Sequence, residues 1–136
     1  MNKRRVETLI PIAIKKIEEM KELRAKDKNN NPIDDKIDKI YSSYLASFGP
    51  SVITSGALMA VMFYAGDDKK SKIIKLMEEV LKEAGLISDD LKDYVNEEFK
   101  KGNALKATQL ITDANIACKL AIRTFDLYEE NEKKED

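Results

Sequence analysis

Three adjacent aspartate pairs, Asp34-Asp35, Asp67-Asp68 and Asp89-Asp90, are the residues that on paper could do chemistry. Paired carboxylates can hold metal ions or move protons. Each pair falls just before or at a predicted helix start, where a carboxylate favours the helix dipole and caps free N–H groups. Capping is therefore their expected use. Glu18, Glu19 and Glu22, and Glu78, Glu79 and Glu83, read as solvated helix faces. The chain has no histidine, which removes the His general base, the Ser/His/Asp and Cys/His nucleophile systems and the imidazole metal ligand. It also removes the Glu-x-x-His pairs of a di-iron helical bundle. One cysteine, Cys118, rules out an internal disulfide and the common zinc arrangements and fits a reducing compartment. The segment Gly66-Asp67-Asp68-Lys69-Lys70-Ser71 lacks the second glycine and the preceding strand of a phosphate loop. The expectation is a protein with no catalytic residue, no metal ligand and no cofactor.

The cations offer a second kind of chemistry. Lys119 and Arg123 stand one helical turn apart, opposite an apolar seam, where they can hold two phosphates or simply keep a helix face wet. The first third is mildly basic, with Arg4, Arg5, Lys15 and Lys16 among its cations, and the end of the chain is acidic. Formal charge over all 136 residues is only −1, so any nucleic-acid site has to be a local patch.

The elements that would position these groups are helical. Apolar residues recur with a 3.6-residue period, and strand-like alternation is nearly absent. Val6, Ile10, Ala13, Ile17, Met20 and Leu23 mark a first helix over residues 6–26, with Pro11 either kinking it or standing near its true start. A polar loop, 27–32, leads to a second helix over 34–47, which Phe48-Gly49-Pro50 should end. A third helix over 50–65 opens on Pro50, and a fourth over 69–84 stops at Gly85. A fifth starts at Ser88-Asp89-Asp90, and the last spans 104–128 before an acidic tail that frays from about residue 129. The last helix carries Ala107, Ile111, Ala114, Cys118, Ala121, Phe125 and Tyr128 along one seam, with Ile116, Leu120, Ile122 and Leu127 off it. A helix apolar on several sides is surrounded by its own bundle or shows a second face to a partner. Cys118 on that seam reads as a buried thiol without redox work. These patterns predict an all-α fold, a compact single-domain bundle of about six helices spanning residues 1–136.

Between Ile40 and Gly66 there is no charged residue. A membrane span needs about 20 continuous apolar residues. Gly49-Pro50 interrupts this run, and Ser51, Thr54 and Ser55 dilute it, so a core helix is expected, with Met59 and Met62 as core filler. The start, Met1-Asn2-Lys3-Arg4-Arg5 followed by Glu7 and Pro11, lacks a signal-peptide pattern, and a cytoplasmic location is expected.

Three stretches together resemble one family. They are Arg4 through Pro11, then Tyr44-Leu45-Ala46-Ser47-Phe48-Gly49-Pro50-Ser51-Val52-Ile53-Thr54-Ser55-Gly56 with its apolar continuation to Phe63-Tyr64, and Ala114 through Phe125. In order and spacing the chain is similar to the small helical subunit of the type III-B CRISPR effector, the Cmr complex, over nearly its whole length. It departs at Thr54, where the family often has an amide, and at Ala57, where it often has leucine, which puts a polar contact from Thr54 in doubt. The resemblance implies an all-helical, non-catalytic antiviral-defence subunit. Copies of it would stack as a minor filament beside other subunits of the effector and help hold the duplex of guide RNA and target RNA. In that setting Lys119 and Arg123, then Arg4, Arg5, Lys15 and Lys16, become candidate RNA-backbone contacts, because a duplex of variable sequence is held through phosphates rather than bases. The competing readings are a helical oligomeric adaptor unrelated to RNA and, further off, a carboxylate-dependent enzyme.

Overall fold

The computed structural model of the chain describes residues 1–129, so the expected fraying of the tail beyond that point lies outside the described residues. Its architecture is mostly helical. Six helices carry the chain: α1 (Lys3–Glu19), α2 (Lys39–Ser55), α3 (Ala57–Ala65), α4 (Ser71–Glu83), α5 (Leu91–Lys100) and α6 (Ala104–Ile122). A single-turn 3-10 helix (Lys21–Leu23) follows α1.

The amphipathic pattern explains α1 directly. Val6, Leu9, Ala13 and Ile17 are its buried residues, Asn2 caps it by accepting from the Arg5 N–H at 3.1 Å, and Pro11 sits exposed within it. Helix α6 is the centre of the bundle. Ten of its residues are buried, and α1, α2, α4 and α5 all pack on it. That surround accounts for a helix apolar on several sides. Leu9, Leu45, Phe48, Ile73, Leu76, Met77, Leu81 and Ile111 anchor one continuous core.

Two features depart from the expected pattern. The first is a small three-stranded sheet, where no strand was expected. Its strands are β1 (Arg24–Lys26), β2 (Pro32–Asp38) and β3 (Asp126–Tyr128), in the order β1-β2-β3. Strands β1 and β2 run antiparallel with an irregular register, and β2 and β3 run parallel, Ile37 facing Leu127. Ile33 and Ile37 are four residues apart, a spacing that suits one helix face and equally the alternate positions of a strand. Asp35 takes a positive φ of 65°, which a helix does not accommodate. Helix α1 therefore ends seven residues before the expected limit, α2 begins at Lys39, and α6 stops at Ile122 so that the chain can reach the sheet. Asp34 and Asp35 lie in β2 rather than at a helix start. Asp38 caps α2 instead, accepting from the Ile40 N–H at 3.0 Å. The expected capping holds at Asp90, which accepts from the Asp93 N–H, whereas Asp67 accepts from the Lys70 N–H within the turn before α4, whose N-cap position, Lys70, has no side-chain cap.

The second departure is the joint in the middle. Helix α2 runs through Pro50 and breaks six residues later at Gly56. Pro50 has no N–H for the Ala46 carbonyl, yet Tyr41, Leu45, Phe48 and Val52 continue one buried face past it. Tertiary packing overrides the local breaker. At Gly56 the backbone turns to φ 87°, ψ 157°, a region essentially closed to residues with a Cβ, and α3 starts at once. Gly49 serves a different end: a Cβ there would stand 3.3 Å from Oδ1 of Asn115, so its lack of side chain lets α2 lie close on α6. Asn115 itself is buried and donates its amide N–H to the Leu45 carbonyl at 3.0 Å. No helix of the described residues is long and apolar enough to cross a membrane.

Candidate functional site

The six cations singled out by sequence fall into three separate places. Lys119 is half-buried in the last turn of α6, and Arg123 is exposed just beyond it. Neither has a carboxylate within 4.0 Å among the described residues, so this pair remains available to phosphate. Arg4 is exposed in the first turn of α1 and is likewise without an ion pair there.

The other three are occupied. Arg5 is half-buried, with Nε 3.4 Å from Oδ2 of Asp113, a side chain with 0% exposure. The other oxygen of Asp113 accepts from the Asn2 N–H at 3.2 Å. Oδ2 has no directed hydrogen bond among the described residues, so Arg5 neutralises it through charge alone. A buried carboxylate left without its cation is costly, which makes Arg5 a lock between the start of α1 and the middle of α6. Lys15 donates to Glu83 of α4 at 3.0 Å, and Lys16 stands 3.6 Å from the same oxygen and 3.6 Å from Glu19. The hydrogen bond and charge of Glu83 raise the Lys15 ammonium above its ordinary value, and Lys15 lowers Glu83 in return. These lysines sit in an exposed ion-pair cluster.

Two surfaces that the sequence did not single out are more developed. One is a cleft of about 440 Å³ where the β1–β2 hairpin faces the turn between α3 and α4. Lys26 and Lys28 come from the hairpin side, Lys69 from the turn and Lys72 from the first turn of α4, and Tyr41 and Tyr128 also line it. Tyr41 is buried, and burial together with Asp38 pushes its hydroxyl up to about 12. Most carboxylates of the lining are already committed. Oδ1 of Asp27 accepts from the N–H groups of Asn29 and Asn31, Asp38 caps α2, and Glu22 pairs with Lys75 at 3.7 Å. Beside the cleft, the ammonium of Lys70 lies 5.3 Å from the ring centre of Tyr64 and 5.9 Å from that of Tyr44. Tyr64 is fixed in turn by a 2.6 Å hydrogen bond with Ser47.

The second surface is apolar. Helix α3 buries Ala57, Ala60, Val61 and Tyr64 but leaves Phe63 67% and Met59 53% exposed, with Met62 between them. Ile53, on the last turn of α2, is 87% exposed. Met59 and Met62 were expected to be core filler; both face outward. The uncharged apolar run predicts a core helix, and the structure corrects this in part: one side of α3 is packed and the other stays in water. Cys118, in contrast, lies where expected, fully buried, with its thiol pushed up by desolvation. Among the described residues no group of three or more His, Cys, Asp or Glu side chains is placed to hold a metal ion. Comparison of the chain with family models, curated proteins and solved structures finds no match.

Proposed function

We propose that this chain is a non-catalytic structural subunit of a type III-B CRISPR effector, a cytoplasmic RNA-guided RNA-targeting complex of antiviral defence. In this reading it stacks in a minor filament and supports the duplex of guide and target RNA through backbone contacts. The observation that carries the proposal is the α2–Gly56–α3 joint. The stretch with the most specific resemblance, Tyr44 through Tyr64, builds the core with one side and presents Ile53, Met59 and Phe63 on the other. A helix that keeps large apolar side chains in water marks a seat for a protein neighbour. The resemblance supplies who that neighbour is: another subunit or a further copy of the chain. Lys119, Arg123 and Arg4, free of ion pairs among the described residues, suit phosphate contacts.

The same apolar face also fits a helical oligomeric adaptor unrelated to RNA. Co-expression of the tagged chain with the other subunits of a type III-B effector and a guide RNA separates the two. Co-purification in a complex that also holds the guide RNA is the expected result. Self-association without capture of those subunits or of RNA would sink the CRISPR reading in favour of the adaptor.

A further inference from the structure

We infer that the cleft between the β1–β2 hairpin and the α3–α4 turn is a binding site for an RNA phosphodiester backbone. The inference deepens the reading of the chain as an RNA-complex subunit and rests on it for the identity of the polyanion. Four ammonium groups, those of Lys26, Lys28, Lys69 and Lys72, line the cleft and have no carboxylate within 4.0 Å among the described residues. Against them stands Asp68, while Asp27, Asp38 and Glu22 are engaged by backbone N–H groups or by Lys75. With Arg24 the lining carries five cations against four carboxylates, a small positive excess, and its four lysine ammonium groups are free of ion pairs among the described residues in one concave place. Low-dielectric walls focus such a field more than a convex helix face does. Helices α2 and α4 also begin beside the cleft, at Lys39 and Ser71, and their positive dipole ends add to the same sign.

The shape favours a strand rather than a small anion. A space of about 440 Å³ exceeds what one phosphate needs. Tyr128, half-buried, sets one aromatic ring among the cations, the combination by which sequence-tolerant sites follow a nucleic-acid backbone, while the buried Tyr41 forms the floor behind it. The pair Lys119 and Arg123, by comparison, sits at the end of a single helix.

The test measures binding of a labelled single-stranded RNA of about 20 nucleotides and of its duplex to the full chain, by fluorescence anisotropy from about 50 to 200 mM salt. Two variants are compared with the parent, Lys69→Glu/Lys72→Glu in the cleft and Lys119→Glu/Arg123→Glu on α6. Glutamates at the start of α4 suit the helix dipole, so the cleft variant should fold, and its thermal midpoint checks this. A Lys69→Gln/Lys72→Gln variant, which removes charge without reversing it, should show a smaller loss of the same kind. The expected result is about a tenfold loss of affinity in the cleft reversal, with a log–log salt slope for the single strand shallower by about 1.4, the value for two phosphate contacts. Parent-like binding by a folded cleft variant, loss confined to the α6 variant, or no binding by the parent at the lowest salt would each overturn the site. Co-purification with the effector is read separately: an RNA-silent chain that still joins the complex removes the cleft alone, and an RNA-binding chain that fails to join removes the complex.

Discussion

At the scale of single residues, charge alone does not separate a phosphate contact from a structural lock. Arg4 and Arg5 are neighbours in sequence, yet one faces solvent and the other answers the buried carboxylate of Asp113. The helix period decides between them, because Arg5 stands next to Val6 on the inward side of α1. Replacing Arg5 by Ala strands Asp113 in the core without a cation. We expect a loss of about 1–3 kcal/mol in denaturant unfolding, below the value for a fully enclosed pair because Arg5 is partly exposed. Lys15→Ala, at a fully exposed pair with Glu83, should leave the unfolding midpoint within error of the parent. Equal effects of the two substitutions would mean that Asp113 finds another partner. Asp113 was visible in the sequence as a lone carboxylate inside the apolar run of α6, but its partner is 108 positions away in the chain, and no local pattern joins them.

At the scale of elements, the joint at Gly56 is where local conformation rules. Nothing lies within 4 Å of a Cβ placed there, so space is not the constraint; the backbone at φ 87° is. Gly56→Ala should therefore destabilise the fold by about 1–3 kcal/mol through strain alone, read as a shift in denaturant midpoint with an unchanged slope. A midpoint equal to the parent's would show that the joint relaxes at no cost. Pro50 teaches the opposite lesson. By sequence it is the stronger punctuation, yet α2 passes through it because Leu45, Phe48 and Val52 hold one continuous buried face. Most helices were legible from their period, and five of the six helical segments lie within the expected stretches save for their ends. The sheet was not legible. Its strands are short and charged, Ile33 and Ile37 fit either period, and β2 gains its neighbours from residues 24–26 and 126–128. Strand β1 is a near neighbour but only three residues long, too short to show an alternation, and β3 lies 90 positions away, where no local pattern announces the pairing.

At the scale of the whole molecule, neither candidate surface is announced by the sequence alone. The cleft gathers cations from the hairpin and from the α3–α4 turn, and only the fold brings those segments face to face. The apolar surface is local to α3 and its approach, yet an all-apolar run reads as core, and only the fold shows that one side of α3 is left uncovered. Met59 was expected in the core, and with Phe63 it marks the uncovered side instead. They face water, and so add nothing to the stability of the lone chain while keeping large apolar area ready for contact. Met59→Lys/Phe63→Lys should for that reason leave the thermal midpoint unchanged. The same change places two charges where a neighbour's apolar side chains would pack, and an unpaired charge desolvated at an interface is strongly unfavourable. The variant should fold like the parent and fall out of the complex when co-expressed with the other effector subunits. A folded variant that co-purifies as well as the parent would exclude α3 as the seat of a neighbour, whereas a variant with a lowered midpoint would place these side chains in the fold's own packing.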